Sequence, residues 1–364
     1  NRSAGSSRCI HLASLFSRDV MALSLQQALS AERTATSVKS RQLSPTADRF
    51  TAGPSPKRFL CFAAFLGNGV RTGRTHCAAA PKRCAAVSRR AVASVELAAD
   101  DLLVIGPGVL GSYAGKLWLE SHPGCKVAGQ TNTETNHPQL RALGLEPCLK
   151  PVAGAAPKFS NVLFSAPPSG SEDYVGEVKQ ALERWNGEGG FVFTSSGSVF
   201  AVDEGDANED SPLVPVGLSE KADRLLLSEQ AVLEAGGSVV RLVGLYHATR
   251  GAHTFFLKMG EVKRWGGYRV NLIHYEDAAS IAVKVLTGST DGPYRSKAFV
   301  GCDGSPISFQ DMMDAVIATG KYEGSCTFTG EPGAQGKNMS NEKSRQELQW
   351  EPKYSSFSAF MAAG

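Results

Sequence analysis

LLVIGPGVLGSYAGKLWLE, residues 102–120, decides how this chain is read. An apolar run, Leu102 to Ile105, leads into Gly106-Pro107-Gly108-Val109-Leu110-Gly111, and a stretch with helical spacing follows. The glycine spacing has a mechanism. Gly106 allows a tight turn, the bare Gly108 lets backbone N–H groups approach a pyrophosphate, and Gly111 lets the helix pack closely on the strand. The strand-to-helix context points to a dinucleotide site on Gly106, Gly108, Val109, Leu110 and Gly111, although a glycine-rich turn that binds nothing satisfies the same spacing.

Outward from this turn, short apolar runs alternate with amphipathic stretches. LLVIG (102–106), KVAGQT (126–131), NVLFSA (161–166), GFVFTSS (190–196) and SVVRLVGLY (238–246) read as strands with little polar alternation, as in a parallel sheet covered on both faces. SEDYVGEVKQALERW (171–185) and SEKADRLLLSEQAVLEA (219–235) open on Ser, carry acids early and repeat apolar residues at helical spacing. The expected fold is a doubly wound parallel α/β sheet over 98–247, with 248–364 completing it and capping the substrate cleft. The small α/β cap draws on a helix from about Asp277 to Leu286, a strand in KAFVGC (297–302) and helices in SFQDMMDAVIATG (308–320) and SNEKSRQELQW (340–350). About twenty residues past the glycines, where an NAD site places a carboxylate, stand Gln130, Thr131, Asn132 and Thr133. Thr131 and Asn132 are therefore expected against the ribose. The cofactor reads as NADP or NAD, with NADP favoured by the missing carboxylate.

Residues 1–97 are different in kind. They hold 15 Lys and Arg against 4 Asp and Glu, whereas the rest of the chain holds 23 against 31, a net charge of −8. Rich in Arg, Ser, Ala and Thr, the segment reads as a transit peptide for the chloroplast stroma behind an upstream leader, with translation starting at Met21 and the mitochondrion as the alternative destination. The apolar run Phe59 to Leu66 is too short to span a bilayer, and no longer run follows, so no membrane partner is expected. The acidic body argues against nucleic acid. Cys125, Cys148, Cys302 and Cys326 form no CxxC and no metal spacing with His, so no metal site is expected.

GPGVLG, VLFSAPPS (162–169), VFTSSGSVF (192–200), VVRLVGLYHATR (239–250), NLIHYEDAASIAV (271–283) and SNEKSRQELQWEPKYSSF (340–357) occur in the order and spacing of a known family. The chain resembles the extended and atypical short-chain dehydrogenase/reductase superfamily, the NAD-dependent epimerase/dehydratase type, over about residues 101–364. The resemblance implies a Rossmann fold, contacts from Ala166 and Ser195 to the cofactor, and a small-molecule substrate beside it. It also implies a Ser, a Tyr and a Lys acting together in proton transfer. Ser196 matches the serine. The register set by Glu229 puts Lys221 in the tyrosine slot and Leu225 in the lysine slot; no Tyr lies between Tyr174 and Tyr246, and YxxxK is absent from the chain.

Two functions follow as expectations. One is an NAD(P)-dependent oxidoreductase or epimerase with a non-standard relay through Ser196 and Lys221. The other is a non-catalytic dinucleotide-binding module of the plastid, redox-sensing or for assembly. Lys221 and Arg224 also fit solvated residues on an exposed helix. His274 and Asp277 fit structural positions at a strand-to-helix junction, with Asp277 as a cap. Tyr246 and Arg250 fit either substrate contacts or packing, and Trp118 and Trp185 fit the core.

Overall fold

The computed structural model describes residues 97–151 and 156–363. The expected leader and its start at Met21 lie outside the described residues, apart from position 97. Seven strands form one sheet: β1 (Leu102–Ile105), β2 (Val127–Thr131), β3 (Glu146–Leu149), β4 (Asn161–Phe164), β5 (Phe191–Ser196), β6 (Ser238–Leu242) and β7 (Ala298–Gly301). Their order is β7-β6-β5-β4-β1-β2-β3 and each neighbouring pair is parallel. Strand order reverses between β1 and β4, so a crevice opens there at the carboxyl ends. The doubly wound parallel sheet expected from the alternating runs is the observed architecture.

Helices cover both faces, which is why the strands lack polar alternation. Along β1, Leu102 and Val104 face one core with Trp118 and Ile281, while Leu103 and Ile105 face the other with Phe164, Phe193 and Leu225. The first face is packed by α1 (Val109–Ser121) and α6 (Tyr275–Thr287), the second by α3 (Tyr174–Glu183) and α4 (Glu220–Glu234). Trp118 and Trp185 are core residues whose indole N–H groups donate to the Asp100 and Ser160 carbonyls.

The run expected as one strand over 238–246 divides at Val243. Its second part, Gly244–Tyr246, leaves the main sheet and pairs in parallel with Leu272–His274. A Cβ at Gly244 would meet Leu272 Cδ2 at 2.8 Å and Asn271 O at 3.1 Å, so the second ribbon packs closely against this glycine. Strand β3 escapes the sequence pattern because it is short and carries Pro147, which an edge strand tolerates. Between β2 and β3 lies the short α2 (His137–Ala142). Chain beyond residue 247 supplies β7 and a smaller lobe around Tyr246, Phe256, Phe309, Met312 and Phe357, built by α5 (Ala252–Met259), α7 (Phe309–Ala318) and α9 (Phe357–Ala363). The C-terminal segment also contributes α8 (Glu342–Leu348). No helix among the described residues is long and apolar enough to cross a membrane.

Candidate functional site

A cavity of about 930 Å³ runs along the carboxyl ends of β1, β2, β4 and β5. Its floor is the glycine turn. Gly106 sits at φ +78°, and a Cβ there would lie 2.5 Å from Ala166 Cα. A Cβ at Gly111 would lie 2.7 Å from Ser165 Oγ and 2.9 Å from Val104 Cγ1, so the helix can approach the sheet this closely only with glycine. Gly108 is the opposite case. Among the described residues the only neighbour within reach of its Cβ is Gly106 O, at 4.0 Å, and the missing side chain leaves a concave space above the start of α1. Gly108 is the N-cap of that 13-residue helix and has no side-chain capping bond. The first-turn N–H groups of Val109, Leu110 and Gly111 therefore face a cradle that a side chain would fill, where a phosphate group can accept them.

At one end of the cavity β2 stops at Thr131, followed by Asn132 and Thr133 on the wall. Thr131 Oγ1 donates to Thr133 O at 2.8 Å and lies 2.8 Å from His137 Nε2, so its hydroxyl is engaged within the protein. Asn132 and Thr133 are exposed. The sequence pattern did not single out Lys150 and Arg184, yet both line this end. Lys150 follows the proline-containing strand, and Arg184 sits at the far end of α3, so neither falls near the glycine motif in sequence.

The β4 and β5 ends form the middle. Ala166 lies against Gly106, and its carbonyl accepts from the Tyr174 hydroxyl at 2.8 Å. Ser195 reaches the wall, but its hydroxyl donates to Glu229 Oε1 at 2.5 Å, and Glu229 is held by Arg241 at 2.8 Å in a buried pair. The Ser195 side chain is thus committed to the protein. Ser196 lines the cavity, and its oxygen accepts from Ser198 N–H at 3.2 Å.

Lys221 is not brought to this wall. It lies in the first turn of α4, where its Nζ is buried without a hydrogen-bond partner among the described residues, and burial lowers its pKa. One turn later Leu225 faces the cavity, an apolar side chain in the slot where the resembling family carries its lysine. The cavity wall thus carries Ser196 and Leu225 but not Lys221.

At the other end stand Leu242, Val243, Leu245, Arg250, Gly251 and Tyr275. Arg250 Nε donates to the Tyr275 hydroxyl at 3.0 Å. Burial raises the Tyr275 phenol pKa and Arg250 pulls it back down. No described residue accepts the hydrogen of that hydroxyl, so it can be offered to a molecule in the cavity. Nothing in the pattern marked Tyr275, because it lies next to the His274–Asp277 pair and reads as part of a helix start.

Tyr246 belongs to the lobe core, edge-on to His274, Phe357 and Phe360, and does not line the cavity. His274 is itself the helix cap, its Nδ1 accepting from Glu276 N–H at 3.2 Å; burial lowers its pKa to about 4, which keeps that nitrogen an acceptor. Asp277 does not cap its own helix. Its carboxylate accepts from Lys353 N–H at 2.8 Å and Tyr354 N–H at 3.1 Å, tying down the C-terminal segment.

No family model matches the sequence. No curated protein matches it either. Solved structures do match in fold. UDP-glucuronic acid 4-epimerase from Bacillus cereus, in complex with UDP-glucuronic acid and NAD, aligns at 17% identity over 72% of this chain and 97% of its own, TM-score 0.58. UDP-glucose 4-epimerase from Thermotoga maritima, with UDP-glucose, aligns at 13% identity over 72% and 97%, TM-score 0.52. A conserved protein of unknown function from Silicibacter pomeroyi aligns at 20% identity over 72% and 97%, TM-score 0.58. The fold is thus the Rossmann type shared with NAD-dependent nucleotide-sugar epimerases, as the ordered sequence phrases anticipated.

Proposed function

We propose that the chain binds NAD(P) along the carboxyl ends of β1, β2, β4 and β5 and holds a small-molecule substrate between Ser196, in the middle of the cavity, and the end lined by Arg250 and Tyr275. The observation that carries this reading is the cradle at Gly108, open above uncapped N–H groups where the fold's switch point lies. Epimerases of the same fold were solved with NAD and UDP-sugars, which supports a dinucleotide beside a small polar substrate. Bound here, the nicotinamide would supply a hydride acceptor or donor, as an oxidoreductase or epimerase requires.

The chain's own groups then divide the work. Ser196 orients a substrate oxygen, and Tyr275 is the phenol that can hold or deliver a proton at that oxygen. The Arg250 guanidinium holds the Tyr275 oxygen in place and stabilises negative charge on it. Leu225 and Leu245 keep the wall apolar and exclude water.

A second reading, a dinucleotide-binding module without turnover, is favoured by one observation: Leu225 occupies the wall while Lys221 lies off it, leaving no Tyr–Lys pair at that position. Calorimetric titration of the full chain with NAD, NADH, NADP and NADPH tests the shared part. Gly108→Arg should abolish binding, because the side chain enters the phosphate path while the fold has room for it. Unchanged affinity in that variant sinks the placement of the site. Oxidation of bound NADPH or NADH by a panel of carbonyl compounds then separates enzyme from module.

A further inference from the structure

Resting on the dinucleotide reading above, we propose that the site is built for the phosphorylated cofactor, NADP(H), with Lys150 receiving the 2′-phosphate and Arg184 a fixed positive charge behind it. A site for the unphosphorylated cofactor needs a carboxylate at the end of β2 to accept from the ribose hydroxyls. This strand ends in Gln130 and Thr131, and the next two wall residues are Asn132, which offers an amide donor, and Thr133, whose hydroxyl donates to Thr135 Oγ1 at 3.4 Å. Gln130 Oε1 is already taken by Arg184 Nη1 at 2.9 Å. Nothing on the strand rejects a phosphate by like charge.

Lys150 is placed to replace the carboxylate with a cation. Its backbone N–H donates to Thr131 O at 2.9 Å, so the residue sits directly beside the end of β2. Its ammonium reaches across the cavity to Glu177 Oε1 on α3, at 3.6 Å. Both side chains remain open to water, 39% and 32% exposed, so this pair is loose and exchangeable. A phosphate carrying about two negative charges competes well for such a lysine.

Arg184 differs in being held. Its Nε donates to Pro157 O at 3.0 Å, its guanidinium lies over the Phe159 ring, and none of the ion pairs among the described residues involves it. The wall carboxylates of this cavity are Glu177 and Glu183, both on α3 across from the strand, and Glu177 is the rival candidate for the ribose hydroxyls.

The test is calorimetric titration of the full chain with NADPH, NADH, 2′,5′-ADP and ADP, the last two reporting the adenosine half alone. The expected result is NADPH at least tenfold tighter than NADH and 2′,5′-ADP tighter than ADP. Lys150→Ala should remove that preference and leave NADH affinity and the melting temperature unchanged. Lys150→Arg should restore the preference, and Arg184→Gln should weaken it in part. Equal affinities in the unaltered chain, an equal loss of both cofactors in Lys150→Ala, or a selective loss of NADH in Glu177→Gln each overturns the proposal. Failure of all four ligands to bind is a separate outcome: it removes the dinucleotide reading itself and this inference with it.

Discussion

Gly106, Gly108 and Gly111 share one motif but meet three different physical constraints, and single substitutions should separate them. At Gly106 an Ala faces both a positive φ of 78° and the Ala166 backbone at 2.5 Å, so Gly106→Ala should cost stability and binding together. At Gly111 the obstacles are the side chains of Ser165 and Val104, and Gly111→Ala should lose about 1–3 kcal/mol to overpacking, read by urea denaturation. Gly108→Ala should leave stability within about 0.5 kcal/mol, because its Cβ enters open space. All three glycines were legible in sequence; the reason that each is required was legible only as a rule until the neighbouring atoms were in view. Tyr275 shows the reverse. Its hydroxyl meets Arg250 only after the chain has turned between residues 250 and 275. Once a substrate is in hand, Tyr275→Phe should lower kcat by about 10²–10⁴-fold while leaving calorimetric cofactor affinity unchanged. An equal loss in both would make Tyr275 a packing residue.

Among elements, α4 is fastened to β5 and β6 by one buried group. Glu229, 2% exposed, accepts from Ser195 and pairs with Arg241, itself 6% exposed. Removing one partner strands the other charge in the interior. Glu229→Ala should cost about 3–5 kcal/mol, seen as a lowered urea midpoint, whereas an exposed pair such as Lys116–Glu120 should contribute less than about 1 kcal/mol. The same helix shows what sequence periodicity delivers. The apolar spacing correctly places a helix over 219–235, but it does not say which residue of its first two turns faces the cavity; packing turns Leu225 inward and leaves Lys221 off the wall. Likewise the largely apolar run 238–246 carries no sign of its division into a sheet strand and a separate ribbon, because that division depends on a partner 28 residues further on, at Leu272.

Across the whole molecule, buried titratable groups work in opposite directions with pH. Burial lowers His253 to about 4, so the folded chain resists a proton that the unfolded chain takes up near 6.5. Its contribution is complete above about 6.5 and is lost as pH falls through about 4. Burial raises Asp303 to about 7, and it contributes in the other sense: fully below about 3.8, and lost as pH rises through about 7. Asp303→Asn, which can keep the acceptor for Ser305 N–H, should therefore gain about 2–4 kcal/mol relative to the unaltered chain between pH 4 and pH 8. Urea midpoints at the two pH values check the sign. For the basic segment 1–97, fusion to a fluorescent protein tests plastid import, and uniform cytosolic signal would refute it.

The sequence by itself determined the α/β class, the parallel sheet and the position of the glycine turn, because these follow from local periodicity and from backbone geometry that glycine alone permits. It also established that the tyrosine–lysine pair of the resembling family is missing, since that is a matter of residue identity. Only the tertiary structure decided which polar groups surround the cavity. Lys150, Arg184, Arg250 and Tyr275 come from four separate elements or loops, and their convergence depends on strand order and helix packing. The same packing occupies the Ser195 and Thr131 hydroxyls, because a buried polar group must find a partner before it can serve a ligand.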